Sequence, residues 1–312
     1  MYADTSVGTV DVPLRSRGSD SWHRLLADRW ATGGGLLVAL LGLVAALAPV
    51  LTGIEGSDPY TYHLDTLSDA GVPLGAGGGI GAAHWFGVEP STGRDLFAVV
   101  IYGARTSLLV GVAATVVAVL LGTLVGVTAG YFAGWYDRLV SRTVDVLLGF
   151  PSLIFMIALA VVVPASFPRP LLLILVLGLF GWPSMARVVR GQTMTLKRRT
   201  FVVAATALGA GPAHVLFRQL LPNLGATVIV YATILVPSMI GTEAALSFLG
   251  VGVPPPTPSW GRSIGEAIGW VQTDPPFLLF PGAALFLATL SFNLLGDGLR
   301  DATDPRLRGA RR

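Results

Sequence analysis

The chain has 312 residues, 53% of them apolar and only 12% charged, whereas a typical soluble domain is about a quarter charged. A net charge of +3 gives no ground for a nucleic-acid partner, and the absence of cysteine excludes a disulfide framework and a thiolate metal site.

Six apolar runs reach the ~20 residues needed to cross a ~30 Å hydrocarbon core. They fall near 33–53, 107–130, 144–165, 171–190, 224–250 and 277–298. Six in one chain exclude a soluble core and predict an all-α polytopic membrane protein. Residues 1–32 precede the first run. There Trp22, Leu25, Leu26 and Trp30 have the spacing of a helix lying on a membrane face, a solvated tail being the alternative. The run at 33–53 is too long, and its leader too extended, for a cleaved signal peptide, so it reads as the first span. Residues 54–105 form a polar loop containing His63 and His84, expected to be solvated rather than metal ligands. Residues 106–300 form the core, and 301–312 a tail.

Charge placement orients the chain. With a cytoplasmic N-terminus, the inner segments hold Arg15, Arg17, Arg24, Arg29, Arg138, Arg142, Arg187, Arg190, Lys197, Arg198, Arg199, Arg218, Arg300, Arg306, Arg308, Arg311 and Arg312. The outer ones hold only Arg94, Arg105, Arg169 and Arg262. This asymmetry predicts both termini inside. Outside, Val253-Pro-Pro-Pro-Thr-Pro-Ser-Trp260-Gly261 cannot be a regular helix. It suits a rigid lid, with Trp260 and Trp270 at the membrane interface.

Within the second span Gly122, Gly126, Gly130 and Gly134 recur every four residues, which makes a groove for close helix approach or reflects the tolerance of membrane helices for glycine. Asp145 follows Arg142 by three residues, a spacing that suits a local ion pair. Glu243, in Ile240-Gly-Thr-Glu-Ala-Ala-Leu-Ser-Phe, is the intramembrane carboxylate of most interest. It either binds a cationic substrate group or holds helices together by accepting backbone hydrogen bonds. No chain of buried carboxylates or histidines forms a proton relay, and no internal repeat is evident.

The segment 191–222 lies between two spans on the inner side. Thr200 is placed to cap a short helix starting at Phe201. Phe201, Ala204, Ala205 and Leu208 follow i, i+3, i+4, i+7 and form one apolar stripe. Gly209 is suited to a left-handed stop. Pro212 can open a second short helix and Pro222 the fifth span. The stripe has no core of its own, so either a partner protein or the lipid headgroups cover it. The sole lysine, Lys197, follows Leu196, so the chain has no Gly-Lys-Ser/Thr loop for a nucleotide. It also shows no nucleophile elbow and no His-Glu-x-x-His zinc site, and it is not expected to be an enzyme.

This loop resembles the EAA loop of binding-protein-dependent ABC importers: Glu-Ala-Ala, three residues, Gly, then Leu-Pro about a dozen residues on. Ala204, Ala205, Gly209, Leu221 and Pro222 match it. Val203 stands where the glutamate is expected, at the position that would complete a capping box with Thr200. Further stretches are similar to the C-type permease subunit of the dipeptide/oligopeptide/nickel importer family. They are Gly93-Arg-Asp-Leu-Phe97, Ile101-Tyr-Gly-Ala-Arg-Thr-Ser-Leu108, Glu243-Ala-Ala-Leu-Ser-Phe-Leu-Gly250, Pro255-Pro-Thr-Pro-Ser-Trp-Gly261 and Asn293-Leu-Leu-Gly-Asp-Gly-Leu-Arg-Asp-Ala-Thr-Asp-Pro-Arg-Leu-Arg308. The resemblance covers about residues 22–308. It implies a six-span type I importer fold in a bacterial inner membrane. It also implies a homologous second permease, two ATPase subunits that hold ATP and Mg, an extracytoplasmic substrate-binding protein, and coupling through 201–222. Short peptides are the expected substrate. A nickel chelate, glutathione or haem are alternatives within the family, and a stand-alone secondary transporter is the rival outside it.

Overall fold

A computed structural model describes residues 25–164 and 166–303. Its helices are α1 (Arg29–Ala46), α2 (Ala48–Glu55), α3 (Leu96–Phe132), α4 (Gly134–Gly149), α5 (Ser152–Val162), α6 (Arg169–Leu196), α7 (Thr200–Ala207), α8 (Pro212–Phe248), α9 (Trp260–Ala267) and α10 (Pro275–Thr303). Helices α1, α3, α6, α8 and α10 are each long and apolar enough to cross a bilayer, and the bent α4–α5 pair is a sixth candidate only if its two helices count as one span. The bundle therefore has a long-loop end, with residues 56–95 and 250–274, and a basic end, with 133 and 197–211.

The expected boundaries shift where helix chemistry overrides hydropathy. Helix α3 begins at Leu96, inside the segment read as loop, because Asp95 caps it by accepting from the Ala98 amide at 2.7 Å. Its 37 residues rise ~55 Å at ~1.5 Å each, well beyond a ~30 Å core. The continuous span expected at 144–165 is instead two helices bent by 87°. Pro151 is the cause: it lacks an amide hydrogen and drives the residue before it out of the helical region, and Phe150 is extended (φ −88, ψ 142). The fifth span starts at Pro212 rather than at Pro222. A π-helical turn at Val215–Leu220, closed by the Leu221 amide on the Leu216 carbonyl, carries the helix past Pro222. At the other boundaries, α1 starts at Arg29 and α10 runs on to Thr303.

The most extensive helix contact joins α3 and α6. Ala114, Ala118, Gly122, Gly126 and Gly130, four residues apart, are all buried along it. A Cβ on Gly122 would lie 2.6 Å from the Met185 Cβ, on Gly126 2.6 Å from the Ala186 carbonyl oxygen, and on Gly130 2.8 Å from the Thr193 Cβ. Without side chains there the backbones approach closely, which is how membrane helices gain packing energy when lipid removes the hydrophobic drive. Gly134 is not part of this face. It lies past the end of α3, has no atom within 4 Å of a Cβ, and serves with φ +69 to turn the chain into α4. Helix α10 closes on α1 at Gly34, 2.8 Å from the Leu294 Cβ by the same measure, and α8 closes on α3 where Gly111 meets Ile240.

Two further expectations change at the long-loop end. His63 and His84 are not solvated singly. Their rings lie 5.1 Å apart and His84 Nδ1 is 2.7 Å from Asp95 Oδ2. Trp260 is not interfacial: it is fully buried and its Nε1 donates to the Val100 carbonyl at 2.9 Å. In the N-terminal tail, Leu25 is buried against Ala31 and Ala302, while Leu26 and Trp30 are exposed. Trp22, Arg15, Arg17 and Arg24, and residues 304–312 with Arg306, Arg308, Arg311 and Arg312, lie outside the described residues.

Candidate coupling site and intramembrane node

Helix α7 is short and has a single buried residue, Val202. Val202 sits at 2% exposure in a buried cluster with Val127, Met185, Val189, Val215, Leu220 and Leu224, and the helix rests on the π turn of α8. At its start, Arg199 is extended and its carbonyl takes the amides of Val202 and Val203 at 3.0 and 3.1 Å. Arg199 is therefore the N-cap, Thr200 is the first helical residue, and no side chain caps the helix. Val203 is then the fourth helical residue, one place too far on for the capping box expected there. At its end, the amides of Gly209 and Ala210 bond the carbonyls of Thr206 and Ala205, both at 3.0 Å, with Gly209 at φ +86. This is the Schellman closure that glycine permits.

The predicted stripe faces outward. Phe201, Ala204 and Leu208 are exposed, Leu208 to 90%, and Ala205 is half-buried. Val203 and Phe217, the latter on the π turn, are exposed apolar side chains as well. Leu221 is half-buried and Pro222 exposed. The Lys197 Nζ at the end of α6 donates to the Tyr131 carbonyl at 2.5 Å and lies 5.2 Å from the centre of its ring, satisfying a free carbonyl in the last turn of α3. The loop is thus an apolar patch held on a fixed base. Sequence pattern found the stripe but not the Val202 anchor or Phe217, because one buried residue among exposed ones leaves no period.

The second candidate, Glu243, is fully buried in α8. Its Oε1 accepts from Ser247 Oγ at 2.8 Å and Ser259 Oγ at 3.0 Å, not from the backbone donors expected. Ser259 begins the turn into α9, where Gly261 packs against the backbone of Ala244 and Trp260 reaches α3. Glu243 therefore ties the proline-rich lid to the core. Ser247 is legible from the sequence as i+4 on the same helix, whereas Ser259 comes only from the tertiary fold. Beside the lid, Arg94 pairs with Glu89 at 2.7 Å and donates to the Pro256 carbonyl at 2.9 Å, both side chains being buried. Burial pushes the Glu89 carboxyl up, against the lowering by Arg94. At the end of α2, Glu55 accepts from the Trp85 amide at 2.7 Å. Burial chiefly, with the nearby Asp95 adding to it, raises its pKa to about 7.

Asp145 pairs with Arg187 of α6 at 2.6 Å rather than with Arg142. Asp137 takes two bonds from Arg190, the second at 2.7 Å. Both carboxylates turn toward α6 because α4 lies against it, and Arg142 is left on the outer face. Among the described residues no group of three or more His, Asp or Glu side chains could hold a metal.

A helical bundle crossing the membrane, with an exposed apolar helix on one end and a side-chain-stapled lid on the other, defines a membrane transport subunit. The chain belongs to the family of binding-protein-dependent transport system inner membrane components, which matches residues 118–309. The N-terminal domain of oligopeptide transport permease C matches residues 16–70. The glutathione transport system permease protein GsiD of Salmonella typhimurium is 41% identical over 297 residues, covering 95% of this chain and 93% of its own. The same-named proteins of Shigella flexneri serotype 5b and Escherichia coli O6:K15:H31 are 40% and 38% identical over 296 residues, again covering 95% of this chain and 93% of theirs. The chain is accordingly an ABC-importer permease subunit of the peptide-transporting family.

Proposed function

We propose that this chain forms half of a permease that imports short peptides, glutathione among them, with its basic end in the cytoplasm. The observation that carries this is the exposed apolar stripe of Phe201, Ala204 and Leu208 on a helix fixed at the basic end, on a chain without a nucleotide loop of its own. ATP and Mg would be held by two separate ATPase subunits, and the α7 loop would pass their motion to α3, α6 and α8 through Val202. A homologous second permease would complete the pathway, and an extracytoplasmic binding protein would deliver substrate at the long-loop end. The charge asymmetry of the sequence supports this orientation. Glutathione, a tripeptide, is named for the relatives, and the match to an oligopeptide permease domain agrees with a peptide backbone as the common feature.

The test is Ala205→Arg in the assembled transporter. Ala205 sits at the middle of the proposed contact, and an uncompensated charge there opposes docking. Arginine forms helix nearly as well as alanine, so α7 itself should persist. Co-purified ATPase and substrate-stimulated hydrolysis should both fall while the spans stay inserted. Unchanged values for both would remove the docking role. Uptake into proteoliposomes, with glutathione competed by di- and tripeptides, tests the substrate. Failure of all three to compete with one another would remove the peptide reading.

A further inference from the structure

Helix α4 carries a surface that none of the functions above uses. The chain leaves α3 at Phe132 and turns through Ala133 and Gly134, both at positive φ, into α4. The 87° bend at Pro151 then lays α4 across the direction in which α5 enters the bundle. Tyr131, Phe132, Trp135 and Tyr136 cluster at this corner, as aromatic residues do at headgroup level. One face of α4 packs on α6 through Val140 and Val144. The opposite face exposes Trp135 (72%), Leu139 and Val146, and beside them Arg138 and Arg142.

The charges on α4 are separated. Its two carboxylates, Asp137 and Asp145, are both taken by arginines of α6. Arg138 has only a 3.4 Å bond to the Gly134 carbonyl, and Arg142 makes no ion pair among the described residues. The outward face is thus an apolar strip with an uncompensated cationic edge. A protein partner would need to supply both a groove and two acids. The bilayer that α3 leaves and α5 enters supplies acyl chains and anionic headgroups at that level without any further folding.

We infer that α4 is an interfacial helix whose Trp135, Leu139 and Val146 enter the headgroup boundary and whose Arg138 and Arg142 bind anionic phospholipid headgroups. The ion pairs Asp137–Arg190 and Asp145–Arg187 then connect lipid at this surface to α6, the span that runs directly into the α7 loop. The inference needs α3 and α6 to cross the membrane, with the return between them made by α5 and the residues that follow it rather than by α4. It stands independently of the peptide substrate and of ATPase docking.

The chain has no cysteine, so Leu139→Cys gives a unique labelling site for an environment-sensitive fluorophore. The labelled full chain is placed in nanodiscs of phosphatidylcholine, or of equal parts phosphatidylcholine and phosphatidylglycerol, with neutral acrylamide as quencher. The label should be more protected in the anionic discs, the docked population shifting by about fivefold for each arginine. Arg138→Gln with Arg142→Gln should abolish the difference between lipids, and Arg138→Lys with Arg142→Lys should retain most of it. A label equally open to acrylamide in both lipids overturns the inference. So does a lipid effect that survives the glutamine pair, or protection that arises only when the other subunits are added. The glutamine pair lies on the exposed face, so an unchanged elution profile of the purified chain confirms that a lost lipid effect is not unfolding.

Discussion

Replacing Val202 by alanine tests how α7 is anchored to the bundle, apart from the exposed stripe proposed to dock a partner. Val202 is the only buried residue of α7. An isolated helix of eight residues is not stable by itself, so the seat of α7 on the bundle depends largely on this side chain. Alanine removes two buried methyl groups, worth ~0.8 kcal/mol each, or ~1.6 kcal/mol together. The hole left in this buried cluster adds to this, toward ~2.5 kcal/mol if the site does not collapse. Since ~1.4 kcal/mol is tenfold in an equilibrium constant, local opening of α7 should rise about 14- to 60-fold. Hydrogen–deuterium exchange of the amides of 203–210, followed by mass spectrometry, reads this directly, because exchange reports local opening free energy. Exchange in α3 and α6 should stay unchanged. Val203→Ala removes the same two methyl groups from an exposed position, so it should leave exchange within about twofold. If Val202→Ala and Val203→Ala alter exchange alike, the single-anchor account of this loop is wrong.

Three further outcomes follow from particular contacts. Gly126→Val forces a branched side chain against the Ala186 carbonyl and Val189; overpacking of this kind costs ~1–3 kcal/mol, so thermal melting of the purified subunit should drop, while Gly134→Ala should register only the strain of its positive φ. Glu243→Gln keeps an acceptor for Ser247 and Ser259 and should retain most transport, whereas Glu243→Leu leaves two buried hydroxyls without their acceptor, at ~1–3 kcal/mol each, and should lower the melting temperature; loss of transport in the glutamine variant with assembly intact would assign the charge to substrate. Glu55 holds its proton in the folded loop up to about pH 7, against 4.5 for the free side chain. The folded state therefore binds more protons than the unfolded one between these values, so the folding of the loop that buries Glu55 should weaken as pH rises from about 4.5 to 7 and stay at its lower value above; amide exchange across residues 81–88 that is flat once corrected for intrinsic rate, or that slows over this window, would contradict it, and Glu55→Gln should remove the dependence.

The sequence by itself determined the helical class, the family, five of the spans and the place of the short helix after α6. Each of these is written in local order. Apolar runs of spanning length need no partner to be recognised, glycines four residues apart share a helix face wherever the helix lies, and Gly209 stops α7 by its own φ. The tertiary structure decided what depends on distant segments. Which glycines form the groove was fixed by where α3 ends, and this removed Gly134 while adding Ala114 and Ala118. Asp145 chose Arg187 over its neighbour Arg142 because α4 lies against α6, and Glu243 found Ser259 because the lid folds back onto α8. The break at Pro151 was present in the sequence as a residue without an amide hydrogen, but its 87° consequence was not. A proline states only that a helix is interrupted, and the packing of α4 on α6 sets the direction the chain takes afterwards.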